Sequence, residues 1–188
     1  MKQLTDEAIR LLKLLIATPS FSKEENETAE ILGAFFDEHG IPYSRVGNNI
    51  YAKNKSYDVN KESILLNSHH DTVKPNKGYT MDPFTPIEKD GKIFGLGSND
   101  AGGCLVSLIA TFLHYYHQDN LKYNVVFAAS AEEEISGVNG IELVLPYLGN
   151  INFGIVGEPT KLEMAVAERG LMVIDCTCLL YTSPSPRD

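Results

Sequence analysis

Three apolar runs, each passing directly into residues that bind metals or move protons, constrain this chain more than any other feature. Ile64-Leu65-Leu66 leads into Asn67-Ser68-His69-His70-Asp71, the run from Asn124 to Ser130 leads into Glu132-Glu133-Glu134, and the run from Phe153 to Val156 leads into Gly157-Glu158-Pro159-Thr160. Short apolar runs of this kind fit strands buried on both faces. An apolar helical stretch from about Leu105 to His114 separates the first two, and another from Gly140 to Leu148 separates the second and third. Strands alternating with helices predict an α/β fold built on a mostly parallel mixed sheet with helices on both faces. Ligands of open α/β sheets bind outside the carboxyl ends of the strands, so the three strand ends predict one shared cleft.

The residues at those ends point to metal chemistry. Imidazole followed by carboxylate suits zinc, with one ring nitrogen on the metal and the other held by the carboxylate. His69 is therefore read as a ligand and Asp71 as its orienter. His70 faces the opposite side of the strand and is read as a neighbour. Asp100 follows the glycine turn Gly95-Leu96-Gly97 and precedes the apolar helix, which puts it near a helix N-terminus. A dinucleotide site is disfavoured there, because Asp100 stands where a third glycine belongs. The chain has no Gly-x-Ser-x-Gly elbow, which weighs against a serine hydrolase. Three successive glutamates alone read as a solvated face, and His114 and His117 as helix surface or core edge. The convergence of the strand ends is what carries weight.

A chain of 188 residues, 43% of them hydrophobic, can bury one core, and a single domain is expected. The formal net charge of -9 argues against a nucleic-acid partner. Asp71, Asp100, Glu132, Glu133, Glu134 and Glu158 account for part of that charge, and packed together they repel unless cations bind among them. Three cysteines make no disulfide framework, which suits a reducing compartment, and Cys104 is read as core. Asp6 and Glu7 precede the apolar run from Leu11 to Ile16, and Lys13 interrupts it, so neither a signal peptide nor a membrane span is read there. A cytoplasmic protein without a membrane partner is expected.

Taken in order, Leu4 to Ala17 shows helical periodicity, with Thr5 as N-cap and Asp6 and Glu7 in the first turn. Ser22 and Glu25 form a capping-box pattern ahead of a second amphipathic helix, which Gly40 closes. Strands are expected at Tyr43 to Val46 and Asn49 to Lys53 around Gly47-Asn48. A loop is expected from Lys74 to Lys92, before the short strand Ile93-Phe94. Two strand-like runs, Leu162 to Glu168 and Leu171 to Thr177, suit a hairpin about Arg169-Gly170, and the tail from Cys178 to Asp188 lacks periodicity.

On these motifs, residues 1 to 177 resemble the co-catalytic zinc amidohydrolases and metallopeptidases that include acetylornithine deacetylase, succinyl-diaminopimelate desuccinylase, aminoacylase and glutamate carboxypeptidase. The acetylornithine deacetylase-like branch looks nearest. The resemblance implies that His69 and Glu158 bind one zinc, that Asp100 bridges two zincs and precedes a cis peptide to Ala101, and that Glu134 binds the second. It implies Glu133 as general base, Asp71 as the catalytic support of His69, and Tyr79 to Phe84 as a loop bordering the cleft. The implied reaction is attack on the amide carbonyl of an N-acyl amino acid by a hydroxide held between two zincs, with cobalt or manganese as other fitting ions.

The family's lid and dimerisation domain, which makes a homodimer of the full-length parent, and its late histidine ligand have no counterpart here. The resemblance thus implies a C-terminally truncated chain: residues 1–177 as the N-terminal part of the catalytic domain, and 178–188 as a tail resembling translated adapter sequence. Desuccinylase and dipeptidase or carboxypeptidase activities fit the same motifs. Two readings of other classes stand beside them, a non-catalytic fragment that binds metal weakly and a metal-free binding module. Zinc stoichiometry separates these readings.

Overall fold

The computed structural model describes residues 2–167. Two helices open the chain, α1 (Lys2–Ala17) and α2 (Asn26–Glu38). A hairpin follows, β1 (Tyr43–Val46) and β2 (Asn49–Lys53), and then the strand β3 (Ser63–His69). The remaining elements are a small hairpin of β4 (Ile87–Lys89) and β5 (Lys92–Phe94), a helical turn over Ser98–Gly102, α3 (Gly103–Tyr116), β6 (Asn124–Ser130), a short turn over Glu133–Ile135, α4 (Ile141–Leu148) and β7 (Ile151–Val156).

Five strands form one sheet in the order β1-β2-β6-β3-β7. β3 pairs in parallel with β6 and with β7, whereas β2 runs antiparallel to β1 and to β6. Four of the five strands therefore share one direction, giving the mostly parallel mixed sheet that the alternation of elements predicts. α3 connects β3 to β6 and α4 connects β6 to β7. Every residue of β6 is buried, and the strand's period of two divides it between two cores. Val125, Phe127 and Ala129 face α1, α2 and α3 among Leu11, Phe36, Leu105 and Phe112, while Val126 and Ala128 face α4 with Val144 and Leu148.

The ends of α2 show how local sequence and tertiary context divide control. At its C-terminus the N–H of Gly40 (φ +62°) donates to Asp37 and that of Ile41 to Phe36, so glycine supplies the left-handed residue that closes the helix. At its N-terminus the capping box does not form. Glu25 occupies the cap position without a side-chain hydrogen bond to the helix, because its carboxylate and the Ser22 hydroxyl are both taken by tertiary partners.

Other expectations need correction. α1 begins at Lys2, so Thr5 lies within it and Asp6 and Glu7 fall beyond the first turn. The stretch from Lys74 to Lys92 is not all loop: Asp90 and Gly91, with φ of 52° and 70°, make the tight turn between β4 and β5. Cys104 is half-buried rather than core. The sheet is least covered along β7, where Phe153 (59% exposed) and Val156 (62%) face solvent. From Lys161 the chain makes a turn and continues to Ala167 without regular structure, so no strand forms over 162–167, and the expected partner run lies outside the described residues. Among the described residues no helix is long and apolar enough to cross a membrane.

Phe36 has no exposed surface and packs its ring on Tyr43, Phe112 and Phe127 at centroid distances of 6.1, 6.1 and 5.7 Å. Its truncation in Phe36→Ala is expected to cost about 3–5 kcal/mol of unfolding free energy, read by denaturant titration; a loss under about 1 kcal/mol would contradict this packing.

Candidate metal centre

Parallel pairing sets the three strand ends side by side. His69 lies opposite Ser130 on β6, and Asn67 lies opposite Val156 on β7. Beyond the sheet the strands stay tied by hydrogen bonds. The Gly157 N–H donates to the Asn67 carbonyl at 2.7 Å, Ser68 Oγ donates to the Gly157 carbonyl at 2.8 Å, and the His70 N–H donates to the Ser130 carbonyl at 3.0 Å. Gly157 packs closely: a Cβ there would lie 2.8 Å from Leu108 Cδ1 and 3.2 Å from Cys104 Cβ, so a side chain would have to displace its neighbours. Glu158 is thereby carried over the end of β3.

His69 lies at the centre of the cluster with a buried ring. Its Nε2 is 3.2 Å from Asp100 Oδ1, 3.7 Å from Glu133 Oε2 and 3.8 Å from Glu158 Oε1. Its Nδ1 is 3.0 Å from the Asp71 carbonyl and 3.3 Å from Asp71 Oδ1. Burial acts to lower the imidazole pKa, but the Asp71 hydrogen bond and the charges of Asp71, Glu158 and Glu133 outweigh it and raise the ring to about 9. His70 has the opposite fate. Its ring is buried between Thr28 Oγ1 and the Asn48 carbonyl, away from the cluster, and burial lowers it to about 4.

The Asp71 side chain is fully buried and does not open onto the cleft. Oδ1 accepts the Glu133 N–H at 3.0 Å as well as facing His69, and Oδ2 accepts the Glu134 N–H at 3.1 Å and the Ser22 hydroxyl at 2.7 Å. Burial opposes its charge, yet the hydrogen bonds from His69, Ser22 and the two N–H groups hold the carboxyl below its ordinary value. With their amides turned inward to Asp71, Glu133 and Glu134 can present their side chains outward. Glu132 departs from its neighbours: it is buried, left-handed at φ 53°, and accepts Asn139 Nδ2 at 2.9 Å, so it braces the loop that follows.

Asp100 is set by the glycine turn. Gly97 is left-handed at φ 72°, and a Cβ on it would lie 2.6 Å from Thr72 Cγ2; the Gly102 N–H donates to the Gly97 carbonyl at 2.8 Å. These glycines permit close packing against Thr72 and α1 rather than a phosphate cradle. The Asp100-Ala101 peptide is cis. Pro83, in the Tyr79 to Phe84 segment, accepts the Leu96 N–H at 2.7 Å, and Phe84 meets the Phe21 ring edge-on.

His69, Asp100 and Glu134 offer one ligand atom each, all within 4.8 Å of one another. Burial, with the charge of Asp100, raises the Glu134 carboxyl; burial, with the charges of Glu133 and Asp100 against the pull of His69, raises that of Glu158. Among the described residues no lysine or arginine forms an ion pair with Asp100, Glu133, Glu134 or Glu158. The edge of a tetrahedron with metal–ligand bonds of ~2.0–2.1 Å is roughly 3.3 Å; the 3.2 Å separation of His69 Nε2 and Asp100 Oδ1 matches that edge, whereas Glu158 Oε1, at 3.8 Å, would have to move closer to share an ion with them. Sequence reasoning missed Ser22 and Glu25 at this centre, because their spacing is also that of a capping box. It also placed Glu132 in the cleft, where instead it acts as a brace.

The fold is that of metallopeptidase catalytic domains. The structure aligns with human carnosine dipeptidase 1 at a TM-score of 0.65 and 20% identity, covering 81% of this chain and 38% of that one. It aligns with the Bacillus subtilis YXEP protein, a dinuclear metal-binding peptidase of the M20 family, at 0.61 and 18%, covering 82% and 43%. In sequence, the acetylornithine deacetylase of Proteus mirabilis is 32% identical over 177 residues, covering 86% of this chain and 45% of the relative. The chain thus spans about half the length of the curated relatives it matches. The model of peptidase family M20/M25/M40 matches residues 65–172, and the chain belongs to that family.

A metal on Nε2 would require that nitrogen deprotonated, so binding there would displace the proton that the surrounding carboxylates favour on His69 below about pH 9. Calorimetry in buffers of different ionisation enthalpy should show release of about one proton per zinc near pH 7, vanishing above His69's midpoint. Binding without proton release at pH 7 would contradict a protonated His69 in the metal-free centre.

Proposed function

We propose that this chain forms the metal-binding core of a zinc amidohydrolase that cleaves the amide bond of an N-acyl amino acid, in the manner of acetylornithine deacetylase. The observation that carries the reading is the His69 ring, backed by Asp71 on Nδ1 and faced on Nε2 by carboxylates from three different segments. In this proposal His69, Asp100 and Glu158 would hold one ion, and Asp100 and Glu134 would hold a second. Zinc bound there would supply Lewis acidity toward the amide carbonyl and acidify water at neutral pH. Family membership, the 32% identity to acetylornithine deacetylases and the dinuclear centre of the YXEP relative support this reading.

Glu133 is the proposed general base. Its side chain is 52% exposed, at the mouth of the cluster, where it can take a proton from water and deliver it to the departing amine nitrogen. Asp71 is the proposed positioning residue: with all its surface buried it cannot reach substrate, but it fixes which nitrogen of His69 faces the carboxylates. We further propose a homodimer for proteins of the relatives' full length.

Among the described residues His69 is the one imidazole at the centre, and the residues proposed for the second ion are carboxylates alone. This favours tight binding of a single zinc by the 188-residue chain, with the second ion held weakly. Metal analysis after dialysis should find close to one zinc per chain; none retained would contradict the reading.

In a chain carried to the relatives' length, Glu133→Gln should keep its zinc while turnover of an N-acyl amino acid falls by roughly 10²–10⁴-fold. Unchanged turnover would remove Glu133 from the proton transfer. His69→Ala should lose both metal and turnover, and an active, fully metallated variant would remove His69 as a ligand.

A further inference from the structure

The segment between α1 and α2 plays no part in the proposed chemistry, yet it is attached to the centre along its length. The Ser20 carbonyl accepts the Thr72 N–H at 2.8 Å, and Phe21 bridges Thr72 in parallel. Ser22 Oγ then donates to Asp71 Oδ2 at 2.7 Å. Lys23 turns left-handed at φ 77°, which lets its N–H donate to Glu25 Oε1 at 2.6 Å. Glu25, with no exposed surface, also accepts the Glu132 N–H at 3.2 Å and Asn48 Nδ2 at 2.8 Å. All three amides of the acidic triplet therefore end on buried carboxylates: Glu132 on Glu25, and Glu133 and Glu134 on Asp71.

Within this arrangement the Ser22 contact is the shortest that Asp71 makes, against 3.0 and 3.1 Å to the two amides and 3.3 Å to His69. A hydroxyl on a carboxylate at this distance is a charge-assisted hydrogen bond, stronger than its neutral counterparts. It also resists one specific motion. Oδ1 is shared by His69 and Glu133, so rotation of the carboxylate is opposed at Oδ2 by Glu134 and Ser22. Without the hydroxyl, one amide at 3.1 Å remains there, and the groups on Oδ1 can drift together. Ser22 cannot drift in the same way, because the Lys23 and Glu25 contacts fix its backbone on the following side and the Thr72 contacts fix it on the preceding side.

We propose that Ser22 is a positioning residue of the metal centre, whose hydroxyl locks the Asp71 carboxylate and through it the His69 ring and the turn bearing Glu133 and Glu134. The inference rests on the reading of His69 and its carboxylates as a metal site. It assigns to the chain before the first strand a share in metal affinity.

The test is zinc affinity of the 188-residue chain, measured by competition with a chromophoric chelator, for the parent, Ser22→Ala, Ser22→Thr and Asp71→Asn. Ser22→Ala should bind zinc about tenfold more weakly, Ser22→Thr should stay within about twofold of the parent, and Asp71→Asn should lose at least as much as Ser22→Ala. The return of affinity with threonine ties the effect to the hydroxyl, which general destabilisation would not do. Parent-like affinity in Ser22→Ala beside a weakened Asp71→Asn overturns the proposal and leaves the metal site standing. Equal weakening of the alanine and threonine variants also overturns it. Parent-like affinity in all three variants would bring down the metal-site reading itself, and the proposal with it.

Discussion

The centre depends on one buried carboxylate, that of Asp71. Taking a carboxylate out of water costs several kcal/mol unless hydrogen bonds replace its hydration, and Asp71 has those bonds from three separate parts of the chain. They come from Ser22 ahead of the sheet, from the neighbouring His69, and from the turn after β6. Because each donor is needed to keep the charge buried, each is held in place by it. Polar satisfaction, a folding requirement, thus also sets the direction of His69 Nε2 and of the acidic turn, which a metal site requires.

The sheet makes this possible by bringing distant residues into register. β3, β6 and β7 run in parallel, so their ends lie on one side of the molecule, and hydrophobic packing on β6 from both faces fixes that register. The resulting edge gathers negative charge around one imidazole, an arrangement that favours a cation and becomes less repulsive once it is bound. β7 carries Glu158 into the cluster but leaves Phe153, Ile155 and Val156 open to solvent. The same strand is therefore both the support of a proposed ligand and the least covered strand of the five-stranded sheet.

Much of this was legible in the sequence because it depends on local pattern. The bounds of β1, β2 and β6 follow from apolar runs and their flanking turns, and the end of α2 from Gly40. The cluster of His69, Asp100, Glu133, Glu134 and Glu158 could be anticipated because each follows a strand or a glycine turn. Where one pattern serves two purposes, reading failed. Ser22 and Glu25 have the spacing of a capping box, and only the fold shows that Asp71 and Glu132 claim their side chains. Glu132 could not be told from Glu133 and Glu134 by type or spacing; its left-handed backbone turns it inward. The Asp90-Gly91 turn was available as a hairpin signal, but its short flanking strands lack clear alternation.

The most direct test of the account is the coordination shell of zinc bound to this chain, read by X-ray absorption at the zinc edge. The account predicts oxygen and nitrogen scatterers at ~2.0–2.1 Å with the multiple-scattering pattern of one imidazole, lost in His69→Ala. A sulfur scatterer at ~2.3 Å, which would bring in a cysteine, or a shell unchanged by His69→Ala would contradict it.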